Sequence, residues 1–555
     1  MTTPGPGEGY TLSGVFTTIA SAVPDNVVMV QGERRQTYAQ TDAHIDAVAH
    51  FLVERGLGCH TERHDLEGHE SGQDHVGLYL RNCPEYLEGM VAAFRARTVP
   101  VNINYRYVTE ELRYLLHDSG VKALIYGAEF AGEVAALRDE LPALTTLIQV
   151  PDGSGNALLP GAVEYGDVLQ TPCPPQGMPT PQGEDAYVLY TGGTTGMPKG
   201  VLWRQHDIYV SSMGGTPFGA TEPFASYEAI AEHARSGGSK VTLLMTPPMM
   251  HGAAQWSGFH IMTGGGTLVL LANTQRLDPV EALTLIGKEG VVSLPVVGDA
   301  IALPIIEEVE RAQAAGQPYD LSSLASVNNG SAALTPAVKS RIFKALPNVI
   351  VLDVVGASET GMQMSSFAFN GAEGDAATFA AQPDTAVVDD GFTRLLEPGE
   401  GGGWLARKQT VPMGYLGDPE KTARTFPLID GVRWAIPGDR AEILDDGRIV
   451  LLGRDSVTIN TGGEKVFVEE VERALIHHPA VRDAIVVGRP STRWGSEVVA
   501  VVALDEDASD ESLLAEAAKH LARYKLPKEF IRVPAVVRSP SGKADYRWAK
   551  SVATS

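Results

Sequence analysis

The sequence predicts an α/β protein in two parts, a large layered N-terminal domain over 1–452 and a small α/β C-terminal domain over 453–555. Three observations carry this expectation. Short apolar runs of strand length alternate with segments of helical spacing, the pattern of sheets covered by helices. At 555 residues the chain is too long for one core of the usual ~150-residue domain. The texture also changes at Gly453, after which a compact unit follows with its own strands at 484–487 and 498–504.

The elements follow in order. Thr37 and Gln40 form a capping box that opens a helix running to about Arg55. A strand at 76–80, a helix at 86–96 and a strand at 99–103 come next. Thr109 is expected to cap a helix that ends near Gly120, before a strand at 123–126. Later strands are expected at 187–191, 241–245, 267–271, 291–294 and 349–354, and Thr335 caps a helix whose first residue is Pro336. Two stretches break the alternation. Residues 59–74 are polar and carry His60, His64 and His69; spacing alone does not make a metal site, so this reads as a solvated surface insertion. Residues 151–184 are rich in Pro and Gly and read as a connecting excursion.

Composition narrows the function classes. Hydrophobic residues are 44% and charged residues 20%, as in ordinary soluble proteins. Net charge is −24, from 44 Lys and Arg against 68 Asp and Glu, which argues against nucleic acid or an anionic membrane as partner. The three cysteines, Cys59, Cys83 and Cys173, have no metal or disulfide-scaffold spacing. Apolar runs such as 498–504 fall far below the ~18 residues of a membrane span, and no secretory leader is evident, so a cytoplasmic location is expected. Homo-oligomerisation is left open.

The most specific segment is Tyr190-Thr191-Gly192-Gly193-Thr194-Thr195-Gly196-Met197-Pro198-Lys199-Gly200. Closely spaced glycines let backbone N–H groups approach an anion, threonines add hydroxyl donors, and Lys199 adds positive charge. In physical terms this is a phosphate-cradling loop following a strand, and it is not a Walker A loop.

That string resembles the signature loop of the adenylate-forming superfamily, which includes acyl-CoA synthetases, luciferases and peptide-synthetase adenylation domains. Further segments resemble the family's other motifs, in family order. They are Pro247-Pro248-Met249-Met250-His251, Asn329-Gly330-Ser331-Ala332-Ala333-Leu334, Gly356-Ala357-Ser358-Glu359, Trp434 through Asp439, and Gly453-Arg454-Asp455-Ser456 with the loop that follows. The last is Pro540-Ser541-Gly542-Lys543. The texture of Asn102-Ile103-Asn104-Tyr105-Arg106-Tyr107 and of Lys543 through Trp548 resembles an actinobacterial group of fatty-acyl-CoA synthetases, some of which activate steroid side chains.

The resemblance implies an acyl-CoA synthetase-like N-terminal domain, a mobile C-terminal domain, and the reaction carboxylate + ATP + CoA → acyl-CoA + AMP + pyrophosphate, with Mg²⁺. It implies roles residue by residue. Lys543 would bridge the carboxylate and the α-phosphate, and Ser358 would donate to that phosphate. Glu359 would hold Mg²⁺. Thr191, Gly192, Gly193, Thr194, Thr195 and Lys199 would hold the β- and γ-phosphates. Gly330, Ser331 and Ala332 would lie in the turn beside adenine, with Val355 at the position that faces it, Asp353 and Gly356 would also bind ATP, and Asp439 with Arg454 would take the ribose. His251 and Gly298 would border the acyl pocket, and Gly462 and Gly463 the CoA tunnel. Acyl-pocket residues are expected within 213–218, 251–259, 296–300 and 328–332. The sequence departs from the family pattern at Val355, where an aromatic is common, at Pro437, where a Thr is usual, and at the hinge, Asp455-Ser456. Two other readings remain open here: an adenylation enzyme that loads a carrier protein, and a non-catalytic nucleotide-binding homologue.

Overall fold

The computed structural model describes residues 9–191, 197–237, 240–332, 334–371, 378–454, 457–461, 464–491, 495–521, 523–538 and 543–554. Among them the N-terminal domain contains three sheets. The first has eight strands. Its centre is parallel, with Val27–Gln31, Thr267–Leu270, Thr242–Met245, Ser293–Val296, Ser326–Gly330 and Ile350–Ala357 side by side. The antiparallel strand Gly361–Ala368 closes one edge. The second sheet also has eight strands and is parallel from Ala186–Thr191 through Val99–Asn102, His75–Tyr79, Val121–Gly127 and Thr146–Val150. Lys199–Arg204 and then Gly414–Tyr415 add to it antiparallel. The third, built around Gly401–Lys408 and Asp439–Ile443, ends on Ile449–Arg454 and Thr378–Phe379.

The central strands are short apolar runs because helices cover both faces of parallel sheets. Their side chains, from Leu243 and Leu268 to Ile125 and Tyr187, are fully buried. The helix Tyr38–Glu54 begins as its sequence predicts: Thr37 Oγ1 accepts from Gln40 N and the Gln40 side chain bonds back to Thr37 N. Thr335 likewise caps Pro336–Ala345. Two expectations need correction. Thr109 is the first residue of its helix and not its cap; Val108 holds that position, and Glu111 supplies the return bond to its N–H at 3.2 Å. The strand expected at 291–294 is Ser293–Val296, because sheet pairing starts at Ser293 while Val291 is buried on the approach to it.

The His-containing insertion is not helical beyond the short turn Arg63–Asp65. It is anchored at its end, where the buried Asp74 carboxylate meets His60 Nε2 and Lys122 Nζ, each at 2.6 Å, and accepts from Gly58 N at 3.1 Å. Its middle lies against the segment after Val411. Gly417 N donates to His69 O at 2.8 Å, and a Cβ on Gly68 would stand 2.7 Å from Met413 O.

The C-terminal domain is small and α/β. Val481–Ser491, Gly495–Leu504 and Glu529–Arg532 form one sheet, covered by Val468–Ile476, Asp510–Ala517 and Tyr546–Ala553. Its buried apolar side chains form two clusters drawn from its own residues, one on each face of the sheet. Val471, Val486 and Ala500 belong to the first, and Val499, Val501 and Ala549 to the second.

Candidate active site

A cavity of about 2840 Å³ lies where hairpin tips of the N-terminal sheets meet the C-terminal domain. Its wall includes Thr191, Lys199, His251, Gly330, Ser331, Ala332, Asp353, Val355, Gly356, Ser358, Glu359, Asp439 and Lys543. Residues separated by more than 300 positions in the sequence therefore border one space.

The hairpin between Ile350–Ala357 and Gly361–Ala368 carries Ser358 and Glu359 at its tip. Two glycines allow this tight reversal. A Cβ on Gly356 would stand 2.2 Å from Gly361 O, and Gly361 has φ +66° with Ser212 Oγ 2.3 Å from where its Cβ would lie. Three side chains clamp the tip. Trp203 Nε1 donates to Ser358 O at 2.8 Å, Thr360 Oγ1 accepts from Ala357 N at 3.0 Å, and Arg407 donates to Thr360 O and Met362 O. Arg407 is itself buried and paired with Asp384 at 2.7 Å.

Glu359 is oriented by Tyr415, whose hydroxyl donates to Oε1 at 2.6 Å. Lys421 Nζ sits 3.9 Å from the centroid of the Tyr415 ring. Burial pulls the Lys421 pKa below the ordinary lysine value, against the charges of Glu359 and Asp418 that support the ammonium. Across the site, Lys199 Nζ lies 3.6 Å from Asp418 Oδ2. Partial burial works against its charge, but Tyr114, Asp118 and Asp418 outweigh it and leave its pKa raised. Thr191 and Lys199 face each other as a pair across the hairpin Ala186–Thr191 to Lys199–Arg204. Gly192, Gly193, Thr194 and Thr195 lie outside the described residues.

The turn 329–332 is shaped from within. Asn329 Nδ2 donates to Ala332 O at 3.1 Å and to Asp353 Oδ1 at 2.9 Å, and Ser331 takes φ +68°. Asp353 also holds Lys339 Nζ at 2.5 Å, so its carboxylate is engaged by two side chains while it lines the cavity. Asp439 faces Arg454 directly in the ladder between Asp439–Ile443 and Ile449–Arg454.

His251 precedes the helix Gly252–Thr263 and borders the cavity. Its Nε2 is buried without a hydrogen-bond partner among the described residues. Burial first, then the charges of Lys543 and Arg106, lower its pKa to about 4, so the imidazole is neutral at neutral pH. Lys543 itself is exposed and precedes Ala544, which is bridged to Arg538 ahead of the helix Tyr546–Ala553.

Gly298 is not itself among the residues of the cavity wall, although Val297 and Ala300 beside it are. It opens the helix Gly298–Ala314 with φ +55°, and its N–H donates to Asn329 Oδ1 at 2.9 Å, so it supports the turn from behind. The expected acyl-pocket stretches contribute Gly214, Pro217 and Phe218, then Gly252, Ala253, Trp256 and Ser257, then Val296, Val297 and Ala300. Gly462, Gly463 and the hinge pair Asp455-Ser456 fall outside the described residues. Sequence reasoning missed Tyr415, Asp418 and Lys421. A signal was present in Asp418-Pro419, a helix start whose Asp418 side chain accepts from Lys421 N.

Residues 16–416 match the family described as AMP-binding enzyme, and residues 470–543 match the AMP-binding enzyme C-terminal domain. Medium-chain acyl-CoA ligase Mig of Mycobacterium avium is 52% identical over 552 residues, covering 98% of each chain. A medium/long-chain-fatty-acid–CoA/3-oxocholest-4-en-26-oate–CoA ligase of Mycolicibacterium smegmatis is 38% identical over 96% of this chain and 94% of its own. The crystal structure of ATP bound MatB from Rhodopseudomonas palustris shares the fold, with a TM-score of 0.78 at 22% identity over 97% of this chain and 98% of that one. No described helix is long and apolar enough to cross a membrane. The chain belongs to the AMP-binding enzyme family, within its acid–thiol ligases that form acyl-CoA.

Proposed function

We propose that the protein activates a medium- or long-chain fatty acid, or a steroid side-chain acid, by the two half-reactions of an AMP-forming acyl-CoA synthetase in the cytoplasm. In the first, a carboxylate oxygen attacks the α-phosphorus of ATP and the bond to pyrophosphate breaks, leaving an acyl adenylate. In the second, the CoA sulfur attacks the acyl carbon and AMP departs with the electron pair of the acyl–oxygen bond. The acid class is supported by the names of the mycobacterial relatives and by the apolar wall of Trp256, Val296, Val297 and Phe218 beyond His251.

The observation that carries this reading is the convergence of Lys543, Glu359, Asp439 and His251 on one cavity. Two anions must meet in the first step, so cations and donors are needed around the phosphates. Lys543 bridges the carboxylate and the α-phosphate, and Ser358 donates to the latter. Lys199, Thr191 and the glycine-rich loop hold the outer phosphates. Gly330, Ser331, Ala332, Asp353, Val355 and Gly356 surround the adenine, and Asp439 with Arg454 takes the ribose. Glu359 fits Mg²⁺, because this ion is commonly held by one or two carboxylates together with substrate phosphate oxygens, and the Tyr415 hydroxyl fixes the carboxylate's direction. His251 is assigned to the mouth of the acyl pocket and to no proton transfer.

The domain division at 452/453 falls inside the strand Ile449–Arg454, close to its end. The residues beyond the hinge pair Asp455-Ser456 rotate between half-reactions, exchanging Lys543 for the Gly462-Gly463 loop at the CoA tunnel, while Gly453 and Arg454 stay in the ladder with Arg440 and Asp439. The test is direct. ATP–pyrophosphate exchange that depends on a fatty or steroid acid, followed by CoA-dependent thioester formation, is expected; exchange without thioester would replace CoA by a carrier protein as acceptor.

A further inference from the structure

The part of the cavity running along the helix Gly252–Thr263 has a polar feature that the two half-reactions do not use. Ala253, Ser257, His260 and Gly264 recur at helical spacing and all line the cavity, so one face of this helix forms its wall. At ~1.5 Å per residue, His260 stands about 12 Å along the axis from Gly252, away from His251 and the reacting end. His233, from the helix Tyr227–Ser236, lines the same region together with Val241, Leu243 and Ile261.

The other polar side chains there are satisfied locally. Ser257 Oγ donates to Ala253 O at 2.8 Å, Thr263 Oγ1 donates to Phe259 O at 3.0 Å, and Trp256 Nε1 donates to Tyr187 Oη at 3.2 Å. Neither the His260 nor the His233 ring has a hydrogen-bond or ion-pair partner among the described residues; His233 only tilts against Phe224, with centroids 5.1 Å apart. Burial lowers the pKa of both, and the nearby His233 lowers that of His260 further. Each is therefore a neutral imidazole at neutral pH, with one N–H donor and one acceptor nitrogen. Two such rings on the cavity wall, beside Val241, Leu243 and Ile261, offer donor and acceptor positions that no described residue fills. An uncharged oxygen would meet it, whereas a second carboxylate would find no compensating cation in either ring.

We infer that His260 and His233 form a distal subsite that selects acids bearing an uncharged oxygen, a hydroxyl or a keto group, at the end of the chain remote from the carboxylate. This rests on the acyl-CoA ligase reading above and adds to it a specificity that the reaction itself does not require. A hydrogen bond between neutral groups contributes about 0.5–1.5 kcal/mol, so the preference at the matching length is expected to be roughly 2–12-fold in kcat/KM.

The experiment measures thioester formation from a series of straight-chain acids of increasing length, each paired with its ω-hydroxy and ω-oxo counterparts. The quantity read is the kcat/KM ratio within each pair. The wild-type ratio is expected to peak at one length, carried by KM. His260→Leu, which removes both ring nitrogens, should flatten the peak, and His260→Gln, which keeps a donor and an acceptor, should retain part of it. His233→Leu should also lower the peak. The ω-hydroxy and ω-oxo arms separate a donor from an acceptor role of the imidazoles. A flat wild-type ratio at every length, or a peak that survives both leucine variants, overturns the subsite while leaving the ligase reading intact. Absence of thioester from every acid would overturn both.

Discussion

Lys543→Ala separates the two half-reactions most sharply. The side chain is exposed, and it immediately precedes the bridged residue Ala544 and the helix Tyr546–Ala553, whose cap is Asp545. The helix buries Ala549 and Ala553 while the Lys543 side chain is exposed, so the variant should fold and its unfolding temperature should stay close to wild type. The charge nevertheless reaches the reaction space, since it is one of the two cations that depress His251. Two unit charges ~4 Å apart at an effective dielectric of ~20 interact by about 4 kcal/mol. Loss of one placed electrostatic contact typically slows a step by ~10²–10³-fold, about 3–4 kcal/mol, which agrees with the Coulomb figure. Acid-dependent ATP–pyrophosphate exchange should fall by at least that factor. Transfer from pre-formed acyl adenylate to CoA should run near the wild-type rate, because repulsion between carboxylate and triphosphate no longer exists in that step. Equal losses in both assays would refute the assignment of Lys543 to adenylation alone.

Three further outcomes are expected. Glu359→Gln keeps an acceptor for Tyr415 but loses the charge; the Mg²⁺ concentration for half-maximal pyrophosphate exchange should rise about tenfold or more, and an unchanged Mg²⁺ titration would remove Glu359 from the metal assignment. Changing His60, His64 and His69 together to Ala should leave activity near normal and cost about 1 kcal/mol of stability, because Asp74 retains Lys122 and Gly58 N; a large loss of activity, or stoichiometric zinc in untagged protein by elemental analysis, would contradict the reading of 59–74 as a surface insertion. His251 titrates at about 4 when folded against 6.5 when unfolded, so the unfolded chain takes up the proton first. Its contribution to stability is present above pH 6.5 and is lost as pH falls toward 4, by up to roughly 3 kcal/mol. The apparent unfolding temperature of His251→Asn should therefore fall less steeply than wild type between these limits, and parallel curves would count against a buried neutral imidazole.

What could be read from the sequence depended on whether the signal was local. Thr37 with Gln40, and Thr335 with Pro336, fix helix starts within one turn, so both are legible. The cap at Val108 was not, because its side chain gives no capping signal and the return bond comes from Glu111. The strand Ser293–Val296 lies two residues beyond the apolar run's start because Val291 and Val292 extend that run, and only pairing with Ser326–Gly330 decides where the ladder begins. Lys199, Glu359, Asp439 and Lys543 stand in local motifs, and the structure places all four on one cavity wall.

Tyr415 shows why the remainder of the site was hidden. It reaches Glu359 only because Gly414–Tyr415 pairs with Val201 and Leu202 on the edge of the second sheet, in the strand that carries Lys199. The same short pairing sets Asp418 opposite Lys199 and brings Lys421 over the Tyr415 ring. It also receives the insertion, through His69 O on Gly417 N and the close approach of Gly68 to Met413. One edge pairing therefore couples three otherwise separate features: the position of Lys199, the orientation of the Glu359 carboxylate, and a surface segment whose composition alone marks it as solvated. Its contribution to the site comes through backbone contacts at Gly68 and His69, which is why exchanging the histidine side chains should be tolerated there while a side chain introduced at Gly68 would push against the strand that aims Tyr415.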